Sequence, residues 1–299
     1  MFVLNNKKGD YKVKYKYLEK DDIYEEKKSN ILAFLYNTVI GRIVLKFLTL
    51  NIYSRFVSVI LNSRLSKPMI KRYINKYSID ITKFQKEKYK SFNDFFKRKL
   101  RDNIDESEKD DFIATANSKI SFYEISENLI INIKKSRYEL KELIKDEEIS
   151  REYVGGICLI YRLSPSDYHR YIFCDNGTQE IVKKINGKLH TVNPIIYDKY
   201  KVFSENYREV SILKTENFGE IVQIEVGALC VGKIVNLDIE KYQKYDEKGH
   251  FEFGGSTIIQ LIKKDKVKID SRIIENTKNN IETIVDIGEI IGCKANNKS

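Results

Sequence analysis

The sequence predicts an α+β chain: a helical, basic N-terminal part followed by a longer part built from short strands. Three observations carry that expectation. From residue 31 to residue 61 apolar residues are dense, and Arg42, Lys46 and Arg55 recur at spacings of four and nine, close to one side of a helix. Beyond residue 110 the texture changes to short runs rich in Ile, Val, Phe and Tyr, at 153–162, 219–235 and 251–263. Turn signals separate them at Asp175-Asn176-Gly177 and Asn186-Gly187. With 299 residues, 42% of them hydrophobic, the chain can bury one large core or two smaller ones.

In chain order, residues 1–28 alternate Lys, Tyr, Asp and Glu and read as a charged, extended arm. Residues 29–105 form the basic helical region, and 106–299 the β-rich part, in which one short helix is expected at 135–146. No repeat of fixed period occurs. Of the three prolines, Pro165 reads as the stiffener of a loop.

Charge divides the chain unevenly. Residues 1–100 carry 23 Lys+Arg against 9 Asp+Glu, a net +14, and the remainder carries 30 against 34, a net −4, which together give the overall +10. A basic, aromatic-rich third requires an anionic partner, and lipid head groups and nucleic acid both qualify electrostatically. No helix-turn-helix, RNA-recognition or zinc-finger pattern accompanies the charge, which argues against nucleic acid. Long basic side chains between residues 31 and 61 can lie along apolar surface and lift their charges to head groups. That suits a helix lying in a membrane interface, although a core helix with one wet face fits the same pattern. The longest uncharged stretch, 29–41, has 13 residues, too few to span a bilayer. The first residues lack the apolar core of a secretory signal, so a place inside the cell is expected. Cys158, Cys174, Cys230 and Cys293 show no C-x-x-C spacing, which indicates neither a metal site nor a redox pair. Free thiols are expected.

Chemistry concentrates at Gly254-Gly255-Ser256-Thr257, between two hydrophobic runs. A serine after two glycines sits on an uncrowded backbone, and its hydroxyl can approach the Gly255 carbonyl. Attack there is an N-to-O acyl shift. The resulting ester breaks by β-elimination, and the dehydroalanine left at position 256 hydrolyses to a pyruvoyl group. The tetrapeptide alone is a weak signal, because most such steps are ordinary turns between strands.

Further segments accompany it. They are Ser91-Phe92-Asn93-Asp94-Phe95-Phe96-Lys97-Arg98-Lys99-Leu100, Leu163-Ser164-Pro165-Ser166-Asp167-Tyr168-His169-Arg170 with Asp175-Asn176-Gly177, Thr191-Val192-Asn193-Pro194, Asn206-Tyr207-Arg208-Glu209, and Glu225-Val226-Gly227-Ala228-Leu229-Cys230-Val231-Gly232. In order and spacing, from about residue 90 to Gly292, the chain resembles the prokaryotic, pyruvoyl-dependent phosphatidylserine decarboxylases. The resemblance implies a proenzyme cut between Gly255 and Ser256, leaving residues 1–255 and 256–299 as a heterodimer of its own fragments. It implies a pyruvoyl cofactor derived from Ser256, no metal, and conversion of phosphatidylserine to phosphatidylethanolamine and CO2. Residues 106–299 become the catalytic domain, and the helical region its docking part on an anionic phospholipid membrane. The implied location is peripheral, on the cytoplasmic side of the cell membrane. His169 is the implied proton donor in the decarboxylation, since an imidazole titrates near neutral pH; a hydrogen-bonded wall residue is the alternative.

Two positions depart from the family pattern. The family serves its self-cleaving serine with an aspartate in a Pro-Ala-Asp-Gly or Gly-Asp-Gly segment and with a second histidine three residues after Asp-Tyr-His. Asn117 and Ile172 stand in those places. Isoleucine accepts no proton, and loss of the acid alone costs a serine-protease triad about 10^4 in rate. His169 could reach the place of residue 172 only if the chain turns after it, because in an extended strand the two face opposite ways. His250, six residues before Ser256, is either another base or a solvated loop residue. Two readings follow: a self-cleaving decarboxylase, or an uncleaved, non-catalytic paralogue that binds phospholipid or modulates an active relative.

Overall fold

The computed structural model describes residues 13–26, 29–86, 88–102, 104, 107–134, 136–229 and 233–295. Strands β1 (Lys14–Tyr17) and β2 (Tyr24–Glu25) lead into helices α1 (Asn30–Asn37), α2 (Val39–Leu48), α3 (Asn51–Asn62), α4 (Lys67–Tyr77) and α5 (Phe92–Phe96). The apolar stretch 31–61 is thus three helices. Ser29 Oγ accepts from Leu32 N–H to start α1, and Thr38, in extended backbone, stops α1 and caps α2 by accepting from Gly41 N–H at 2.9 Å. Gly41 lets α2 press on α1, since a Cβ there would lie 2.1 Å from the Phe34 carbonyl oxygen. Among the described residues no single helix is long and apolar enough to cross a membrane; α1 and α2 reach that length only as a pair bent by 100°.

The rest is β-rich. Strands β3 (Asp111–Ile113) and β4 (Ser118–Glu124) come first, then the hairpin β5 (Ile130–Ile133) and β6 (Ser136–Glu139), followed by α6 (Leu140–Ile144) and α7 (Glu147–Arg151). Next are β7 (Ile157–Leu163), β8 (Arg170–Ile172), β9 (Gly177–Ile185), α8 (Val202–Glu205), β10 (Arg208–Thr215) and β11 (Gly219–Val226). Then β12 (Ile234–Asn236), β13 (Lys241–Tyr242), β14 (Glu247–Phe251), β15 (Ser256–Ile262), β16 (Val267–Ile269), α9 (Ser271–Lys278), β17 (Ile281–Val285) and β18 (Ile290–Lys294) complete the described chain. Ten strands form one sheet in the order β13-β9-β10-β11-β15-β7-β4-β17-β1-β2, with β1 parallel to β17 and the other neighbours antiparallel.

Alternation along the central strands gives this sheet two apolar faces. Leu159, Tyr161, Leu163, Ile221 and Ile258 point to one core, roofed by the small sheets β12-β14-β8 and β16-β18-β3 and by α9. Cys158, Ile160, Val222, Ile224 and Ile259 point to the other, covered by α1, α2 and the segments around α6 and α8. A third cluster, Leu61, Tyr89, Phe92, Phe95 and Phe96, joins α3, α4 and α5 and packs on Phe253.

Several expectations are corrected. Residues 14–17 of the arm form β1, inside the large sheet, because Tyr15 pairs beside Glu282 and Glu26 reaches Arg162; residues 1–12, 27 and 28 lie outside the described residues. The expected helix at 135–146 is helical only at Leu140–Ile144, since Ser136–Glu139 pairs with β5 and residue 135 is outside the description. The run 153–162 starts as a strand only at Ile157, after Gly155 turns with φ +66°. The run 219–235 breaks after Val226, and Cys230 to Gly232 are not described. The run 251–263 breaks at 252–255, where the chain changes sheets.

Between the ten-stranded sheet and the β12-β14-β8 layer lies a buried polar network. Lys248 and Glu225, both fully buried, form an ion pair at 2.9 Å, and Lys248 Nζ also donates to Asn236 Oδ1 at 2.7 Å. Asn236 Nδ2 donates to Glu225 Oε2, Gln223 Nε2 to Glu225 Oε1, Gln260 Nε2 to Gln223 Oε1, and Tyr161 O–H to Gln260 Oε1. Every member has a partner, so the layers are held in register as well as packed. Lys248→Met in a Ser256→Ala background should lower unfolding stability by about 3–5 kcal/mol, because it strands the Glu225 carboxylate. Adding Glu225→Gln should recover much of that loss, as urea titration of the two variants would measure.

Candidate active site

Ser256 opens β15 in the middle of the large sheet, paired with Leu163 of β7, and its side chain points with that of Ile258 into the core under the small sheets. The four residues before it carry the chain from one layer to the other. Gly254 adopts φ +140°, a region that favours glycine. A Cβ on Gly255 would meet Val192 Cγ2 at 3.6 Å and the Leu163 carbonyl oxygen at 3.7 Å, ordinary contacts, so the first glycine is the conformational necessity. The crossing is held from outside. Phe253 N–H donates to Asn93 Oδ1 at 3.2 Å, Asn93 Nδ2 donates to Asn62 Oδ1 on α3 at 3.1 Å, and Ser58 Oγ donates to Glu252 Oε2 at 3.1 Å. The Phe253 ring stands edge-on to Phe92 and Phe96.

His169 reaches the same region from the loop between β7 and β8. Ser164 N–H donates to Asp167 Oδ2 at 2.7 Å, Lys119 Nζ lies 3.4 Å from that carboxylate and donates to Ser164 Oγ at 3.0 Å, and Tyr73 O–H donates to the Pro165 carbonyl. The loop thereby returns His169 beside β14, where its carbonyl accepts from Phe251 N–H at 2.9 Å. The ring packs against Phe96, centroids 4.2 Å apart. Its Nδ1 lies 2.8 Å from the Asp167 carbonyl oxygen. A carbonyl only accepts, so Nδ1 carries the hydrogen and Nε2 of the neutral ring carries a lone pair. Burial pushes the imidazole down to about 4, against the pull of Asp167, so the ring is neutral at pH 7. His169 Nε2 and Ser256 Oγ are both buried without a hydrogen-bond partner, and the Gly254 main chain bears on the imidazole.

Asn117 and Ile172 lie elsewhere. Asn117 precedes β4, donates to the Asp286 side chain, and lines a cavity of about 800 Å³. Ile172 lines a neighbouring pocket of about 390 Å³ with Arg170 and Glu247. The two cavities share Leu100, Asp102, Ile104 and Ile287, and neither is lined by His169 or Ser256. Because β8 runs extended, residues 169 and 172 do not share a side; it is His169 that stands beside the crossing, while residue 172 faces the outer pocket. His250 pairs with Arg170 in the small sheet, with Nδ1 3.6 Å from Glu247 Oε1, on the side opposite Phe251 and away from the core. His190 packs at a tilt against Tyr200, ring centroids 4.4 Å apart, and burial pushes its pKa down to about 4.

The sequence reading gave no role to several groups that set this geometry. Arg162, buried on the opposite face of β7 from Leu163, pairs with Glu282 at 2.5 Å and with Glu26 at 2.8 Å. Burial alone would lower its pKa, but the two carboxylates drive it up. Asn193 Nδ2 also donates to Glu26, which ties the Thr191–Pro194 motif to the arm. Lys119 carried a signal, a cation two residues past Asn117, but its partner Asp167 is 48 residues away. Burial raises the thiol pKa of Cys158, and of Cys174 to about 12; these thiols and the exposed Cys293 are unpaired. Among the described residues no group of three His, Cys, Asp or Glu could hold a metal ion.

A polypeptide crossing between two sheets, with an orphaned serine hydroxyl at its end and a neutral imidazole beside it, has the parts of a self-processing enzyme. Comparison with known proteins gives the class. The family described as phosphatidylserine decarboxylase matches residues 92–293. A phosphatidylserine decarboxylase proenzyme 2 of Clostridium acetobutylicum is 49% identical over 276 residues, 91% of this chain and 95% of that protein. Phosphatidylserine decarboxylase proenzymes of Ruminiclostridium cellulolyticum (41% over 280 residues, 91% and 93%) and Clostridium perfringens (42% over 269 residues, 87% and 91%) are similar over nearly the same extent. The chain belongs to the phosphatidylserine decarboxylase family.

In a Ser256→Ala background, Gly254→Ala should lower unfolding stability by about 1–3 kcal/mol through backbone strain. Gly255→Ala should leave it within about 0.5 kcal/mol, since a Cβ fits there. Urea titration distinguishes the two, and equal losses would contradict the geometry of the crossing.

Proposed function

We propose that this chain is a proenzyme that cuts its own Gly255–Ser256 bond and then converts phosphatidylserine to phosphatidylethanolamine and CO2. The observation that carries the reading is the pair of orphaned buried atoms, Ser256 Oγ and His169 Nε2, at the end of a glycine crossing. In cleavage, His169 Nε2 takes the proton of Ser256 Oγ as the oxygen attacks the Gly255 carbonyl carbon. It returns that proton to the residue 256 nitrogen as the C–N bond breaks. Loss of the residue 256 α-proton then expels the Gly255 carboxylate, and water replaces the nitrogen, which leaves as ammonia. A pyruvoyl group formed there fits the site, because a buried position with no competing hydrogen-bond partner keeps a carbonyl free to react. Once formed, its carbonyl supplies the electron sink for loss of CO2. His169, held by its Nδ1–H bond to the Asp167 carbonyl, is neutral at rest; it protonates the carbon that has lost CO2 only after Nε2 has taken up the one proton that the overall reaction consumes.

The helical region supports docking on an anionic lipid surface, with residues 106–299 carrying the chemistry. Ile40, Ile43 and Phe47 on α2 and Ile52, Phe56 and Val59 on α3 are exposed, Ile52 at 74% and Phe47 at 65%, and Arg42, Lys46 and Arg55 stand exposed among them. Exposed apolar residues at helical spacing on α2 and α3 favour a cover, and the cations among them favour head groups of negative charge. The reading places the protein peripherally on the cytoplasmic side of the membrane that holds its substrate.

Intact mass under denaturing conditions should give two fragments, residues 1–255 and a fragment from 256 that is lighter by one ammonia than one beginning with serine. Ser256→Ala should stay whole, and His169→Gln should cut at least about 100-fold more slowly. A wild-type chain that stays at full mass for days with lipid present would overturn the reading. Separately, Ile52→Ser with Phe56→Ser should weaken sedimentation with phosphatidylserine vesicles about tenfold or more, from the lost apolar burial, without altering cleavage. Equal vesicle binding by the double variant would remove α3 from the docking surface.

A further inference from the structure

Arg98 follows α5 in the segment that carries Phe96 against His169, and it is 3% exposed. Its guanidinium carbon stands 4.5 Å from the Phe84 ring centroid and 4.9 Å from that of Phe95. One of its nitrogens reaches the Phe96 carbonyl oxygen, at 3.4 Å, and its Nε–H has no acceptor. No carboxylate among the described residues lies within ion-pairing distance of it. Asp167, whose charge is felt at Arg98, is already engaged by Ser164 N–H and Lys119. Tyr89, whose hydroxyl interacts electrostatically with Arg98, is also buried with that hydroxyl unpartnered.

Two aromatic rings compensate a guanidinium only partly, and a desolvated cation with an idle donor is costly unless an anion joins it. We propose that Arg98 and Tyr89 form the subsite for the phosphodiester of the lipid head group, an assignment that rests on the decarboxylase reading. The head group offers two anions, and the chemistry selects between them. The carboxylate must give up its charge as CO2, and a cation paired with it would oppose that loss. The phosphodiester keeps its charge in substrate and product alike. A cation there strengthens binding uniformly, so its removal raises KM and leaves kcat nearly unchanged.

The test is calorimetric binding of sn-glycero-3-phosphoethanolamine to the full-length protein, with ethanolamine as the phosphate-free control, and it needs no turnover. Arg98→Met keeps the stem between Phe84 and Phe95 and should weaken binding about 10- to 100-fold, the range for a lost charge-assisted hydrogen bond. Tyr89→Phe, the smaller change, should weaken it about 3- to 10-fold, and it decides the matter if Arg98→Met does not fold. Arg98→Lys should retain part of the affinity. Ethanolamine binding should not change. Undiminished binding of the diester in both variants, or an equal loss for ethanolamine, would overturn the subsite. Inorganic phosphate binding as tightly as the diester would overturn its assignment to the lipid. An uncut chain by mass would count against the decarboxylase reading alone, because the binding comparison can be made on it as it stands.

Discussion

One constraint governs the arrangement: β14 belongs to the small sheet, β15 to the centre of the large one, and only four residues join them. Phe253 and Gly254 must turn the chain without filling the space between the layers, which is why a left-handed glycine and an outward-facing phenylalanine occur side by side. The layers cannot drift, because Lys248 on β14 is locked to Glu225 on β11 through a saturated polar network. Displacing one sheet would unpair buried charges, a far larger penalty than the net value of the pair itself. The position of Ser256 is therefore set jointly by β14, joined to it by four residues, and by β11, which pairs with its own strand.

The second element of the site depends on the first. His169 lies beside β14 through its main-chain bond with Phe251, so the imidazole is indexed to the same strand that delivers the serine. Lys119 on β4 and Tyr73 on α4 brace the loop that carries it, and α3 braces the crossing through Asn62, Asn93 and Ser58. The apolar helices that expose their outer faces thus hold, with their inner faces, the backbone on which the chemistry rests. The exposed apolar faces and the crossing before Ser256 are tied to the same helix, α3.

Much of this was legible in the sequence, and the failures have physical causes. Ser256 and His169 stood out because few residue types can perform this chemistry, and the apolar density of 31–61 indicated helices. The breaks within that stretch were not visible, because Thr38 and Leu50 disrupt the helix through backbone angles rather than composition. Residues 251–263 looked like one strand, since alternation persists while the chain changes layer. Ser136–Glu139 shares its apolar spacing with the helix that follows, and only pairing with β5 makes it extended. Residues 117 and 172 drew attention by their identity, yet what they face is a matter of topology. Asn93 and Lys119 act through partners far along the chain, a relation no local pattern records.

The position of β15 has a consequence for the life history of the molecule. It lies between β11 and β7, and β17, further along the same terminal segment, lies between β4 and β1. A cut before Ser256 therefore frees two chain ends but releases nothing, since the shorter piece is woven through the sheet at two separate places. On the proposed reading the sheet is assembled before the bond is cut, and the smaller piece stays interleaved with the larger. Under the proposed cleavage, a molecule that lost its reactive carbonyl would have to be replaced by a newly synthesised chain, because its smaller piece could not be exchanged without unmaking the sheet.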